Sequence, residues 1–125
     1  MPTNSFTIPA RLPGLNELID ANRRGWHEGA RLKADTDGLI RLSIRTAMRR
    51  GECRPAKGLV RVSFLWRERT RRRDLDNIFS AKKFVLDAMQ AEGLIETDGQ
   101  RVVIGLSDEF QPGADSVRVV IEEEP

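Results

Sequence analysis

Leu59-Val60-Arg61-Val62-Ser63-Phe64-Leu65-Trp66-Arg67-Glu68-Arg69-Thr70-Arg71-Arg72-Arg73-Asp74-Leu75-Asp76-Asn77 carries the chain from an alternating run into a charged junction. Val60, Val62, Phe64 and Trp66 fall on one side of an extended backbone and Arg61, Ser63 and Arg67 on the other. This predicts a strand with one packed face and one face open to solvent or a partner. The strand delivers the chain into four arginines among five residues, Arg69, Arg71, Arg72 and Arg73. Asp74, Asp76 and Asn77 then open a helix, with Gly93 just beyond its end. At about 100° per residue, Leu75, Ile78, Phe79, Val85, Leu86 and Met89 share one broad apolar face. Asp76, Ser80, Lys83 and Asp87 line an adjoining edge, and Lys82 falls within the apolar face, where only its stem packs easily.

Upstream, Ser5-Phe6-Thr7-Ile8 alternates and stops at Pro9, as a short first strand does. Leu15, Leu18, Ile19 and Ala21 suit a short helix starting near Asn16, and Trp26 reads as a core or helix-capping aromatic. Between Glu28 and Arg50 the residues Ile40, Ile44, Ala47 and Met48 recur at helical spacing, although Gly38 weakens an unbroken helix. Arg41, Arg45 and Arg49 share a face there, either solvated or a phosphate-binding stripe. Downstream, Asp98-Gly99 is a turn signal, Arg101 to Leu106 a strand, and Val117, Val119 and Ile121 alternate in a last strand. Pairing of the last two strands as a hairpin is expected. The order β-α-α-β-α-β-β predicts an α+β fold, a small mixed sheet packed with helices in a single domain, residues 1–125.

A chain of 125 residues removes roughly two thirds of its unfolded surface from water on folding. Its 39% hydrophobic and 32% charged residues suit a compact domain and argue against disorder. No apolar run approaches the ~20 residues that cross a bilayer, and no signal-peptide segment is evident, which predicts no membrane partner and a cytoplasmic protein. Net charge is only +2 with a pI near 9.1, yet arginines crowd 69–73 while the tail ends in Glu122-Glu123-Glu124. Local patches therefore matter more than the total. Cys53 alone makes no internal disulfide, and with the single His27 it makes no ordinary zinc site. Any metal should be a hard cation on oxygen ligands.

Hydrolysis of a phosphodiester needs an activated water and neutralisation of the charge developing on phosphate and leaving oxygen, which Mg²⁺, or Mn²⁺, supplies. Two or three converging carboxylates suffice to hold such an ion with its waters. Asp74 and Asp76, two residues apart, point the same way on an extended backbone, and Asp98 would have to arrive from the far end of the helix. Simpler readings stand beside this one. Asp74 and Asp76 are also ordinary helix-starting residues, worth about 1 kcal/mol, Asp98 an ordinary turn residue, and Lys83 an ordinary solvated lysine.

Arg71-Arg72-Arg73-Asp74-Leu75-Asp76-Asn77, then Lys83 four residues before Asp87-Ala88-Met89, then Ala91-Glu92-Gly93-Leu94 and Asp98, resembles the RusA family of Holliday-junction resolvases. The resemblance covers about residues 71–103, and Ile8-Pro9 with Leu12-Pro13-Gly14-Leu15-Asn16 is similar to the start of phage-type members. It implies a homodimeric, Mg²⁺-dependent endonuclease that cuts four-way DNA junctions by paired incisions in recombination and repair. Asp74, Asp76 and Asp98 match the family's metal-binding aspartates, Lys83 the lysine needed for cleavage, and Arg73 a basic residue that assists DNA binding or catalysis. Arg69, Arg71, Arg72 and Arg73 are then the expected DNA grip. Two departures stand out. Lys83 lies three residues further from Asp76 than in the best-known members, which makes Lys82 a competitor, and Thr97 stands where many members carry another acid. A non-catalytic branched-DNA-binding module, with structural aspartates, is the alternative.

Overall fold

The computed structural model describes residues 3–125. Its elements are β1 (Asn4–Ile8), α1 (Leu15–Arg24), α2 (Trp26–Arg49), β2 (Val60–Glu68), α3 (Leu75–Phe79), α4 (Lys82–Ala91), β3 (Val103–Pro112) and β4 (Ser116–Glu123). The α+β class and the element order agree with the sequence pattern, with one predicted helix realised as the pair α3 and α4.

The four strands form one sheet in the order β1-β4-β2-β3. β2 pairs antiparallel with β4 and parallel with β3, and β1 pairs antiparallel with β4. The expected hairpin between the last two strands is therefore absent, because β2 lies between them. Residues 113–115 instead cross the end of β2. There the Gly113 N–H donates to the Glu68 carbonyl at 3.1 Å, and the Arg69 N–H donates to the Asp115 carboxylate at 2.9 Å. The physical reason lies in burial: Val60, Val62, Phe64 and Trp66 are all buried, so β2 takes the centre while β3 occupies an edge. Helices cover one face of the sheet, where these residues meet Val119, Ile121, Ile40, Ile44, Val85 and Met89 in one core. Arg61, Arg67 and Arg118 lie on the open face.

Trp26 departs from expectation. It begins α2 and is 73% exposed, with its ring against His27 at 3.7 Å between centroids, not in the core. α2 also runs unbroken through Gly38, which faces open space and so costs only propensity. The predicted helix from Asp74 breaks at Ser80-Ala81. The Ser80 hydroxyl donates to the Asn77 carbonyl at 2.5 Å, and the N–H groups of Ala81 and Phe84 bond three residues back instead of four.

Arg41 and Arg45 converge on Glu92, with contacts of 2.7 and 2.8 Å, and tie α2 to the end of α4. This pairing favours a structural role for these two over a phosphate stripe. Hydrogen bonds from Arg45, then Arg41, hold the Glu92 carboxyl down at about 2 from an ordinary 4.5. A depressed carboxyl stabilises the fold above its unfolded value and loses that contribution as pH falls through its folded value. In urea titrations the midpoint gap between the parent and Glu92→Gln should be constant from pH 5 to 8 and should shrink as pH is lowered from 4.5 toward 2. A gap that does not change with pH would show that the charge pairing contributes nothing.

Candidate functional site

The charged junction is organised by one buried cation. Arg73, its side chain only 12% exposed, donates to Glu68 at the end of β2, to Glu17 of α1 and, at 3.0 Å, to the Leu12 carbonyl. Burial alone would lower its pKa, but the hydrogen bonds from Glu68 and Glu17 prevail and raise it. Glu17 in turn accepts from the Asn77 side-chain amide at 2.9 Å, and its carboxyl stays below the usual range although burial acts to raise it. Asn77, itself buried, also accepts the Asn16 N–H at 2.9 Å, and Ser80 Oγ accepts the Leu15 N–H at 2.8 Å. These two side chains satisfy N–H groups at the start of α1 that have no helical partner. Gly14 is required at this crossing, since a Cβ there would stand 2.1 Å from the Asn77 carbonyl oxygen. Among the seven residues of the arginine-aspartate motif, Arg73 and Asn77 thus face inward and hold β2, α1 and α3 together.

Arg71, Arg72, Asp74 and Asp76 face outward. Asp74 occupies the cap position of α3 with φ −65° and ψ 145°, yet its side chain makes no capping hydrogen bond. Asp76 accepts only the adjacent Asn77 N–H, at 2.9 Å. Asp74, Arg71, Leu75, Phe79, Asp108 and Phe110 line an open cleft of about 520 Å³, with Arg73 at its base. The phosphate grip expected of Arg73 therefore falls to Arg69, Arg71 and Arg72, all exposed and without ion pairs among the described residues. The Arg73 guanidinium is already committed to two carboxylates.

Asp98 does travel back along α4, but to Lys83. The Lys83 ammonium lies 2.6 Å from the Asp98 carboxylate and 3.0 Å from Asp87, and these hydrogen bonds, Asp98 first, raise the lysine's pKa. Asp74, Asp76 and Asp98 are not brought together: among the described residues no group of three or more acidic, histidine or cysteine side chains is arranged to hold a metal ion. Lys82, unexplained from the pattern, bonds Asp108 of β3, which also accepts the Trp66 indole N–H at 2.9 Å. Asp108 escaped the sequence reading because the strand was ended at Leu106. The signal was present, since Leu106, Asp108 and Phe110 share the face of β3 that pairs with Val62, Phe64 and Trp66, where an acid is out of phase. Cys53 is buried, which pushes its thiol up to about 11 and leaves it unreactive at neutral pH. No helix among the described residues is long and apolar enough to cross a membrane.

No family model matches the chain, and no curated protein sequence does.

Two measurements test this geometry. Removal of Arg73 leaves Glu68, 4% exposed, as an uncompensated buried charge, so Arg73→Ala should destabilise the fold by about 3–5 kcal/mol in urea titrations. A loss below about 1 kcal/mol would mean that the cluster does not organise the junction. By side-chain NMR titration, Asp98→Asn should move the Lys83 pKa down toward 10.5 by more than Asp87→Asn does, following the order of their hydrogen bonds.

Proposed function

We propose that the chain is a Mg²⁺-dependent, structure-specific endodeoxyribonuclease that resolves four-way DNA junctions as a homodimer, by paired phosphodiester hydrolysis. The observation that carries this reading is the outward pair Asp74 and Asp76, unused in capping and flanked by the exposed Arg71 and Arg72, on a backbone fixed by the buried Arg73. Helix capping therefore does not account for Asp74. The resemblance of residues 71–103 to the RusA family supports the same conclusion.

Asp74 and Asp76 fit a hydrated divalent cation, because Mg²⁺ and Mn²⁺ keep several waters and need only one or two protein carboxylates. Such an ion would supply Lewis acidity and a more acidic bound water. Asp98 would join these ligands only by releasing Lys83. Arg69, Arg71 and Arg72 hold phosphates of the backbone. Lys83, 68% exposed, keeps a donor free to neutralise charge on the phosphate or the leaving oxygen. A two-fold junction cut on opposed strands calls for two symmetric sites, which a homodimer provides.

The pairing of Asp98 with Lys83 favours a second reading, a branched-DNA-binding module without catalysis. Both readings place phosphates on the arginines, so both give salt-sensitive binding, with a log-log slope that changes by about 0.9 for each phosphate neutralised. Cleavage separates them. With a synthetic four-way junction and Mg²⁺, the parent should give paired nicks, and Asp76→Asn should cut at least about 100-fold more slowly, as expected for loss of an electrostatic catalytic group. Junction that is bound but left intact would establish the binding module. Cutting by Asp76→Asn at the parental rate would remove Asp76 from the site.

A further inference from the structure

A second concavity opens beside Lys83, on the side away from the Asp74 cleft's Asp108 wall. Between α1, α2 and the start of α4 lies a groove of about 530 Å³ whose walls include Leu15, Leu18 and Phe84. Leu15 is 55% exposed, and the bond from its N–H to Ser80 Oγ fixes its backbone at the groove edge. Phe84 is half-buried and packs against the core. The apolar surface is therefore held in place by the fold and is not covered by it.

The rim is charged, but in both senses. Asp87 pairs with Lys83 at 3.0 Å and Asp37 with Arg41 at 3.7 Å, while Lys33 makes no ion pair among the described residues. We propose that this groove receives one unstacked nucleobase of the branched DNA; the inference rests on the DNA reading above but not on cleavage. A base is flat, apolar on its faces and edged with both donors and acceptors, and so matches apolar walls with lysine donors and carboxylate acceptors. Its phosphate complements the uncommitted Lys33. An alkyl chain would leave the charged rim unmatched, and an acidic peptide would meet two carboxylates. Bases at a branch point are also the least costly to unstack. Because Lys83 belongs to both the groove and the Asp98 cluster, a strand held at Lys83 has its neighbouring base within reach of Phe84.

The test uses four-way junctions carrying 2-aminopurine at each position flanking the branch, titrated with full-length protein in metal-free buffer. Fluorescence at one position should rise on binding. Phe84→Ala and Leu15→Glu should abolish the rise and weaken binding by roughly 5- to 100-fold, the range for one stacked base. Leu15 is exposed, so its variant keeps the test decisive if Phe84→Ala does not fold. No rise at saturating protein, a rise unchanged in Leu15→Glu, or no junction binding at all would overturn the proposal. Junction cut in Mg²⁺ without any fluorescence rise removes the groove and leaves the nuclease. A rise that depends on Leu15, without cutting, keeps the groove and removes the nuclease.

Discussion

The arrangement of the charged junction depends on Arg73 lying between Glu68 and Glu17. Burying these charges carries a desolvation cost, and a buried ion pair is weak evidence for net stability. Its effect here is geometric. Glu68 belongs to the end of the central strand, Glu17 to the first helix and the Leu12 carbonyl to the loop before it, so one guanidinium fixes three segments distant in sequence. Asn77 extends the cluster by bonding Glu17 and by filling an orphan donor at the start of α1. The planar fork of arginine suits this task, since it addresses several acceptors at once in fixed directions.

Inward commitment of Arg73 and Asn77 decides what the intervening residues do. With its two ends anchored, the short segment presents Asp74 and Asp76 outward together with Arg71 and Arg72. Fixed carboxylates next to fixed cations repel a second anion less than carboxylates alone would, and this allows a polyanion to approach them. The basic character of the surface is local, confined to the residues the cluster turns outward, which is why a net charge of +2 is a poor guide to it.

Much of this was legible from the residues. The alternation of Val60, Val62, Phe64 and Trp66 defined the central strand, and the helical spacing of Ile40, Ile44 and Ala47 defined the face of α2 that packs on it. Strand order was not legible, because a three-residue link between β3 and β4 reads the same whether they pair or straddle a third strand. The inward turn of Arg73 was hidden among identical neighbours, and its partners Glu68 and Glu17 lie 5 and 56 residues away. Likewise Asp98 signals a turn in sequence, and only the return of its segment along α4 supplies Lys83 as its partner.

The break at Ser80-Ala81 settles the contrast between the two adjacent lysines. Successive residues on a helix point about 100° apart, so Lys82 and Lys83 leave α4 in different directions. Lys82 turns to β3, where Asp108 is already held by Trp66, and there its ammonium serves to neutralise a largely covered acid. Lys83 turns to the Asp98 segment and stays 68% exposed. An ammonium has three donors, and Asp98 and Asp87 use two. Lys83 can therefore meet an incoming phosphate without giving up either partner, whereas withdrawing Lys82 would leave Asp108 unneutralised against the core. The three extra residues between Asp76 and Lys83 are absorbed by the tightened turn, which restarts the helix with one lysine fastened to the sheet and the other left available.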